Sequence, residues 1–506
     1  MPYVRRDGEL VEASWPEAID AAVEGLQRVG SSVGVLTGGR LSVENAYAYS
    51  RFARAVLGTN NIDFRARAIS DEETAFLTGE VAATTAGELG VTYDDLEAAK
   101  QVVLVGFEPE NESPIVFLRL RKAWRKKKVA VLSVAPFLSR GATKMGAQLV
   151  PTLPGDEAAA LEQLVDEGRI DADTIILVGE RAATSPGALA EVVAAKQATG
   201  ARYAWLPRRA GEIGAIKAGC LPGLLPFGRP AGVAEARVDV AATWGVDSLP
   251  TEAGLDTLGM IAAAAAGELA GLVVAGVEVA DLPNPELARE ALSEVFVVSI
   301  EQRVSEASQY ADVILPAALI DDQIGTFVNW EGRERPINLV RDDHRQVMSD
   351  VRILAALADA LGSELGFRSP AQAADSLDEL GVWRGARPAT DFGQIVPVDV
   401  DGMRLSTWRV LVDDARGLDG ADALLATAPL AQARLSAATA AAVGVREGEI
   451  VTVSTEAGAI SLPVDIVDDM LDGAVWLPMR STGSLVHETL HAVQGDVVSL
   501  SRGGAQ

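Results

Sequence analysis

The sequence predicts an α/β protein of doubly wound parallel sheets followed by a smaller β domain, and three observations carry that expectation. Short, uniformly apolar runs recur at VGVLTG (33 to 38), VVLVG (102 to 106), VAVLSV (129 to 134), TIILVG (174 to 179), LVVAGV (272 to 277) and FVVSI (296 to 300). Runs apolar at every position suit strands buried on both faces. Helical patterns lie between most of them, at 43 to 57, 112 to 127, 156 to 166, 187 to 199 and 285 to 293, which makes parallel pairing with helices on both faces the expected arrangement. The texture then changes near residue 400. A Pro, Asp and Gly-rich stretch, Pro388 to Gly402, precedes short strands such as IVTVST (450 to 455) and AISLPVDIV (459 to 467), broken by Gly448, Gly458 and Gly473, as expected of a separate, mostly β domain.

The first helix is announced by Ser14 and Glu17 in SWPEAIDAAVEGL, a capping box in which each side chain serves the other's backbone. Ala18, Ala21, Ala22, Val23 and Leu26 follow at roughly helical period. The most apolar stretch, Leu258 to Val279, is interrupted by Glu268, Gly267, Gly271 and Gly276, so it reads as an Ala-rich helix running into a buried strand and not as a membrane span. MPYVRRDGEL lacks the apolar core of a signal peptide, and a cytoplasmic location is the expectation.

The chain has 506 residues, 71 acidic against 44 basic, and a net charge of -27. That balance argues against a surface that tracks nucleic-acid phosphates. Only eight of the 44 basic residues are Lys. A lone cysteine, Cys220, excludes a disulfide framework, a Cys-ligated zinc site or an iron-sulfur cluster held by this chain alone. With no His or acidic partner nearby in sequence, Cys220 reads as a buried structural thiol. No G-x-G-x-x-G opens a helix after a strand, so no Rossmann dinucleotide fingerprint is present.

Two motifs have a functional and a plain reading. HETLH, His487 to His491, fits the zinc-peptidase pattern, with Glu488 as general base. A catalytic site needs a third ligand, and only Asp496 follows as a carboxylate, with His344 the one other histidine in the chain. Two surface or satisfied histidines are therefore expected, with the zinc peptidase kept as a remote alternative. RLRKAWRKKK, Arg119 to Lys128, carries seven basic residues in ten. It is either a solvated helix C-terminus favoured by the macrodipole or a docking surface for an acidic neighbour.

Six blocks in order, VRRDGELVEASWPEAI, SVENAYAYSRFARAVLGTNNID, VLVGFEPENESPIVFLRLRKA, AGCLPGLLPFGRP, YADVILPAALIDDQIGTFVNWEGR and ARLSAATAAAVGVREGEIVTVSTEAGAISLPV, resemble the molybdopterin oxidoreductase superfamily. GFEPENESP and GTFVNWEGR most resemble the non-cluster part of the G subunit of NADH-quinone oxidoreductase, bacterial respiratory complex I. The resemblance implies two doubly wound domains facing a cleft, formate dehydrogenase-like, closed by a C-terminal double-psi β-barrel. It places the first domain at 1 to 64 and 172 to 395, the second at 65 to 171, and a molybdopterin-dinucleotide-binding-like barrel at 402 to 506. It further implies a structural portion of the peripheral arm that carries electrons from NADH to quinone. The portion would have no active site of its own and would lie at the inner face of the cell membrane without inserting in it. Complete G-subunit chains resemble this one only after a Cys-rich half, so the iron-sulfur clusters are expected in a missing N-terminal half or a separate chain. The partners implied are that cluster domain and the other peripheral-arm subunits. The attachment surface is expected near residues 1 to 12, with Pro2, Tyr3, Val4, Leu10 and Val11 as its apolar groups.

Active relatives, the alternative reading, bury a molybdenum bis(guanylyl-pterin) cofactor in the cleft, and the resemblance implies that its holding positions have eroded here. Where formate dehydrogenase-like relatives carry a metal-ligating Cys or selenocysteine and a His, this chain has Ile69 and Ser70. The Gly-Ser/Thr-Asp/Asn position reads Gly155-Asp156-Glu157, the Asp-Pro-Arg block reads Ala135-Pro136-Phe137, and the Asn-Pro block reads Glu108-Pro109. Each change removes a donor or sets a carboxylate beside a pyrophosphate. The expectation is no catalytic residue, no cofactor and no metal held by this chain.

Overall fold

The computed structural model of the chain describes residues 1–85, 90–340, 347–395 and 401–503. Two sheets and a barrel organise it. The first sheet has seven strands in the order Glu9–Glu12, Tyr3–Arg6, Val313–Pro316, Phe296–Glu301, Gly271–Ala275, Val33–Leu36, Ile62–Asp63. The five inner and distal strands pair in parallel, and the N-terminal hairpin adds an antiparallel edge through Tyr3↔Ile314 and Val4↔Val313. The second sheet is wholly parallel, in the order Gln148–Pro151, Ala130–Ala135, Gln101–Val105, Thr174–Gly179, Arg202–Leu206. Six strands, Met403–Trp408, Ala474–Pro478, Ala433–Leu435, Ala459–Ile466, Ile450–Ser454 and Val497–Arg502, close into a barrel.

The uniformly apolar strands are explained by two-sided burial. In the second sheet Val103, Val105, Ile176 and Val178 face a core shared with the first sheet, while Val102, Leu104, Ile175 and Leu177 face a separate core under the helix Pro114–Lys127. The first sheet divides the same way, Val273 and Ala275 to the shared core and Leu272 and Val274 to the opposite one. The barrel strands instead alternate, with Val451, Val453, Ile460, Leu462 and Val464 inward, the period-2 signature of a sheet wet on one side. Ser14 and Glu17 form the expected capping box on Trp15–Val29. Leu258 to Val279 resolves into the helix Thr257–Ala265 and the strand Gly271–Ala275.

Two expectations are corrected. Strands Thr174–Gly179 and Arg202–Leu206 hydrogen-bond into the second sheet, so that sheet runs to Leu206, past the boundary expected at 171. A continuous helix–strand rhythm leaves no compositional mark where the chain changes sheets. At the N-terminus, Pro2 is buried and Val4 is 8% exposed, because the hairpin is the edge of the first sheet. Those two residues are not open apolar groups.

The second sheet's strand order reverses between Gln101–Val105 and Thr174–Gly179, which in an open α/β sheet sets a crevice at the strands' C-terminal ends. Here the backbone closes on itself at that point. Gly106 takes φ +57°, and a Cβ at Gly179 would stand 2.2 Å from the Gly106 carbonyl oxygen. Gly179→Ala is therefore expected to destabilise the chain by about 1–3 kcal/mol through forced backbone shifts, read as a lower urea midpoint; an unchanged midpoint would show that the contact relaxes freely.

Candidate functional site

The cleft lies where the two sheets and the barrel meet, and the positions expected to face a cofactor sit on its walls. Ser70 caps the helix Asp71–Phe76, its hydroxyl accepting from Glu73 N at 3.2 Å, and half-buried Ile69 precedes it. Glu108 caps the helix Pro109–Glu112, accepting from Asn111 N at 3.1 Å and from the Ser139 hydroxyl. Burial pushes its carboxyl up. Glu157 opens the helix Glu157–Asp166, accepts from Gly155 N at 2.7 Å and from the Ser185 hydroxyl, and is likewise pushed up by burial.

Several of these positions now bind the barrel. Asp156 pairs with Arg404 at 3.3 Å, and Gln494 donates to Glu157 at 3.3 Å while accepting from Arg181 at 2.8 Å. Phe137, 2% exposed beyond the half-buried Ala135, stacks on Trp408 with ring centres 5.6 Å apart and meets Trp476 edge-on at 6.4 Å. Arg434 covers Trp476 at 4.5 Å. The space left among Phe107, Glu108, Phe137, Glu157 and Trp408 is about 30 Å³, room for a water or two. These residues do not fit a pyrophosphate-bearing pterin: two buried carboxylates and an aromatic ring stand where such a group needs donors.

The centre of the cleft is an ion network. Asp281, on a turn just beyond Gly271–Ala275, is buried. Its Oδ1 lies 2.7 Å from Arg409 Nη1 and 2.8 Å from Arg480 Nη1, both from the barrel. Its Oδ2 lies 2.9 Å from Arg209 Nη2, which follows the last strand of the second sheet, and 3.8 Å from Arg40 Nη2. Burial alone would lift the carboxyl, but the surrounding guanidiniums hold it well below the usual carboxylate range. The network continues through Glu212, 3.4 Å from Arg209 and 3.8 Å from Arg67, whose carboxyl burial pushes up to about 7. From Arg67 it passes to Glu73 at 2.8 Å, then Arg65 at 3.3 Å and Asp63 at 2.7 Å. These ions escaped the sequence reading, although Arg208-Arg209 after the apolar YAWL and Asp281 just past LVVAGV sit where parallel strands end, the usual place for a site.

HETLH is part of this junction. The helix Val486–Leu490 is a single turn, and His491 beyond it is left-handed at φ +46°. His487 is buried with Nδ1 3.1 Å from the Asp281 carbonyl oxygen, so Nδ1 holds the proton. Burial pushes its imidazole down to about 4. Glu488 pairs with Arg289 at 2.8 Å, and His491 faces Glu286 at 3.9 Å. His344 lies outside the described residues. Among the described residues, no group of three His, Cys, Asp or Glu side chains is placed to hold a metal ion. Cys220 is fully buried, its thiol donating to the Ala46 carbonyl at 3.1 Å and pushed up to about 12 by burial. In the basic run, Arg119 and Lys122 pair with Glu97. Arg125, Lys126 and Lys127 are exposed in the last turn of their helix.

Residues 1–360 match the family model described as Molybdopterin oxidoreductase, and residues 403–499 that described as Molydopterin dinucleotide binding domain. The G subunit of NADH-quinone oxidoreductase from Streptomyces coelicolor is 46% identical over 534 aligned residues, covering 99% of this chain and 63% of that protein. The corresponding G subunit from Mycobacterium bovis is 46% identical over 517, covering 99% and 64%. The chain thus spans a little under two thirds of the length of these curated relatives. Among solved structures, acetylene hydratase from Pelobacter acetylenicus superposes with a TM-score of 0.61 at 14% identity, over 99% of this chain and 92% of that one, a likeness of fold. Among the described residues no helix is long and apolar enough to cross a membrane. On the match across residues 1–360, the chain belongs to the molybdopterin oxidoreductase family.

Proposed function

We propose that the chain is a degenerate molybdopterin-oxidoreductase-like portion of the G subunit of an NADH-quinone oxidoreductase. On this reading it is a structural part of the peripheral arm, holding no cofactor and carrying out no step of electron transfer itself. The observation that supports the proposal is a set of contacts at positions expected to face a cofactor: Phe137, Asp156 and Glu157 bind the barrel through Trp408, Arg404 and Gln494. A cleft fastened in this way is a rigid body, the property a supporting portion needs. The 46% identity to G-subunit chains supports this choice of assembly. The partners are then an iron-sulfur cluster domain and neighbouring arm subunits, on the cytoplasmic side of the membrane. The exposed basic turn at Arg125 to Lys127 is a second place for an acidic neighbour to dock.

The test is purification of the tagged full-length gene product from solubilised membranes of its host. It is expected to bring with it NADH:quinone oxidoreductase subunits, and the chain expressed alone is expected to contain no stoichiometric molybdenum or zinc and no visible chromophore. Stoichiometric molybdenum in the chain alone would establish the active-enzyme alternative in its place. Stoichiometric zinc lost on His487→Ala would establish the peptidase.

Two further outcomes follow from a fastened cleft. Asp281→Asn leaves buried guanidiniums without their shared carboxylate and is expected to cost about 3–5 kcal/mol in urea unfolding. A change near zero would show that the network is not what joins the domains. For His487, an unfolded imidazole titrates near 6.5 and the folded one near 4. Between those values the unfolded state binds a proton that the folded state does not. The stability gained from the neutral ring is therefore present above pH ~6.5 and is lost as pH falls toward ~4, by up to about 3 kcal/mol. The stability gap between wild type and His487→Gln should narrow over that range, and a constant gap would contradict a neutral buried imidazole.

A further inference from the structure

The segment that follows the strand Val313–Pro316 is built inside out. In a loop that faces water, apolar side chains turn in and polar ones turn out. Here Leu319, Ile320 and Ile324 are exposed, whereas Asp321 and Asp322 are half-buried and Gln323 is buried, accepting from Asn45 Nδ2 at 3.1 Å. A single turn of helix over Ile320–Asp322 fixes that arrangement. Other exposed apolar groups are fastened to the same place. Val340 N donates to Asp321 O at 3.1 Å, which sets Leu339 and the 77% exposed Val340 beside the turn. Gln302 Nε2 donates to Ala318 O at 3.2 Å and brings in the loop that carries Val304, 76% exposed. The antiparallel pairing Tyr3↔Ile314 runs the 67% exposed Met1 toward Pro316. These groups surround the C-terminal ends of the strands Phe296–Glu301 and Val313–Pro316, as one apolar patch at the rim of the first sheet.

Three observations bear on what covers it. The exposed groups are aliphatic side chains and one Met, which suits a protein face and not a nucleic acid or a small anion. The two G-subunit relatives at 46% identity align with 99% of this chain, yet that stretch covers only 63% and 64% of their length. With one cysteine, the fully buried Cys220, this chain cannot by itself hold an iron-sulfur cluster. In the assembly proposed above, the clusters therefore sit on another body that has to meet this one.

We propose that this patch is the docking surface for the iron-sulfur cluster domain, whether that domain is carried ahead of Met1 or on a separate chain. The inference rests on the proposed membership of an NADH-quinone oxidoreductase and names the face that this partner covers. It moves the attachment point from the N-terminal hairpin, whose Pro2 and Val4 are buried, to the strand ends beside it. Seating an apolar face there gives Leu319 and Ile320 the burial that the chain alone does not.

The test places the photo-reactive p-benzoylphenylalanine at position 320 of the tagged full-length gene product and, as a control, at position 238, where Val238 is exposed on the helix Ala234–Trp244. The assembly is purified from solubilised membranes and irradiated, and linked peptides are identified by mass spectrometry. Position 320 is expected to link to a cysteine-rich, cluster-binding segment, and position 238 is not. Leu319→Asp together with Ile320→Asp is expected to lower the yield of assembled complex by about tenfold, with the urea midpoint of the chain alone unchanged; Val238→Asp leaves both unchanged. Linkage of position 320 to a second copy of the chain, to lipid, to a subunit without clusters or to nothing overturns the proposal, as does normal assembly of the double variant. If the wild-type product brings no NADH:quinone oxidoreductase subunits with it, the functional reading fails and takes this inference with it, whereas linkage elsewhere within an intact assembly overturns this inference alone.

Discussion

One carboxylate, Asp281, is where three separately folded parts of the chain agree. It accepts from Arg209 at the end of the second sheet and from Arg409 and Arg480 of the barrel, while belonging itself to the first sheet. Desolvating such charges is expensive, and it is tolerable only if every partner is in place at once. That condition makes the junction all-or-none: a barrel displaced by a few ångström would leave several buried guanidiniums without a counter-ion. Thirty-six of the 44 basic residues are Arg, whose planar fork can bridge two carboxylates inside a protein where a Lys ammonium cannot.

The walls of the cleft are joined to the barrel by side chains that need no ligand. Burying a carboxylate at Glu108 or Glu157 would be ruinous opposite a pyrophosphate, but each has found local donors, Ser139 and Asn111 for the first, Ser185 and Gly155 for the second. Phe137 fills space with dispersion contacts to two tryptophans. In each case the side chain is satisfied without a ligand, and for Phe137 and Glu157 the barrel supplies part of the contact.

Much of the fold was legible because its strands are apolar at every position, and that pattern arises only when both faces are covered. Strands at 33, 101, 130, 174, 271 and 296 and the helices between them are where the residues placed them. The change of sheet was not legible: Thr174–Gly179 looks like every other buried strand, and which sheet it joins is decided by packing of distant residues. The N-terminal hairpin was hidden for a related reason, since Tyr3–Arg6 and the edge strand Glu9–Glu12 are only four residues each and end in charged residues. In the cleft, the positions expected to face a cofactor could be named from the six blocks, but their partners in the barrel could not. Asp156 meets Arg404 across 248 positions and Glu157 meets Gln494 across 337, separations no local pattern encodes. Nothing in the local sequence around Arg67 or Arg409 marks either guanidinium as buried.

The order of strands in the first sheet has a bearing on how the chain is made. Val33 pairs with Gly271, more than two hundred residues later, while the whole second sheet is encoded between them. On a ribosome the inserted sheet is complete in sequence before the outer one can close, and the strand Val33–Leu36 must wait with its apolar residues unpaired on the side where Gly271–Ala275 belongs. Closing so long a loop is slow, and exposed strand edges in the interval invite wrong pairing. The Asp281 hub can form only after that closure, and the barrel, emerging last, sets the final charges in place. The network is thus a late checkpoint on assembly, satisfied only by a chain whose earlier sheets have found each other.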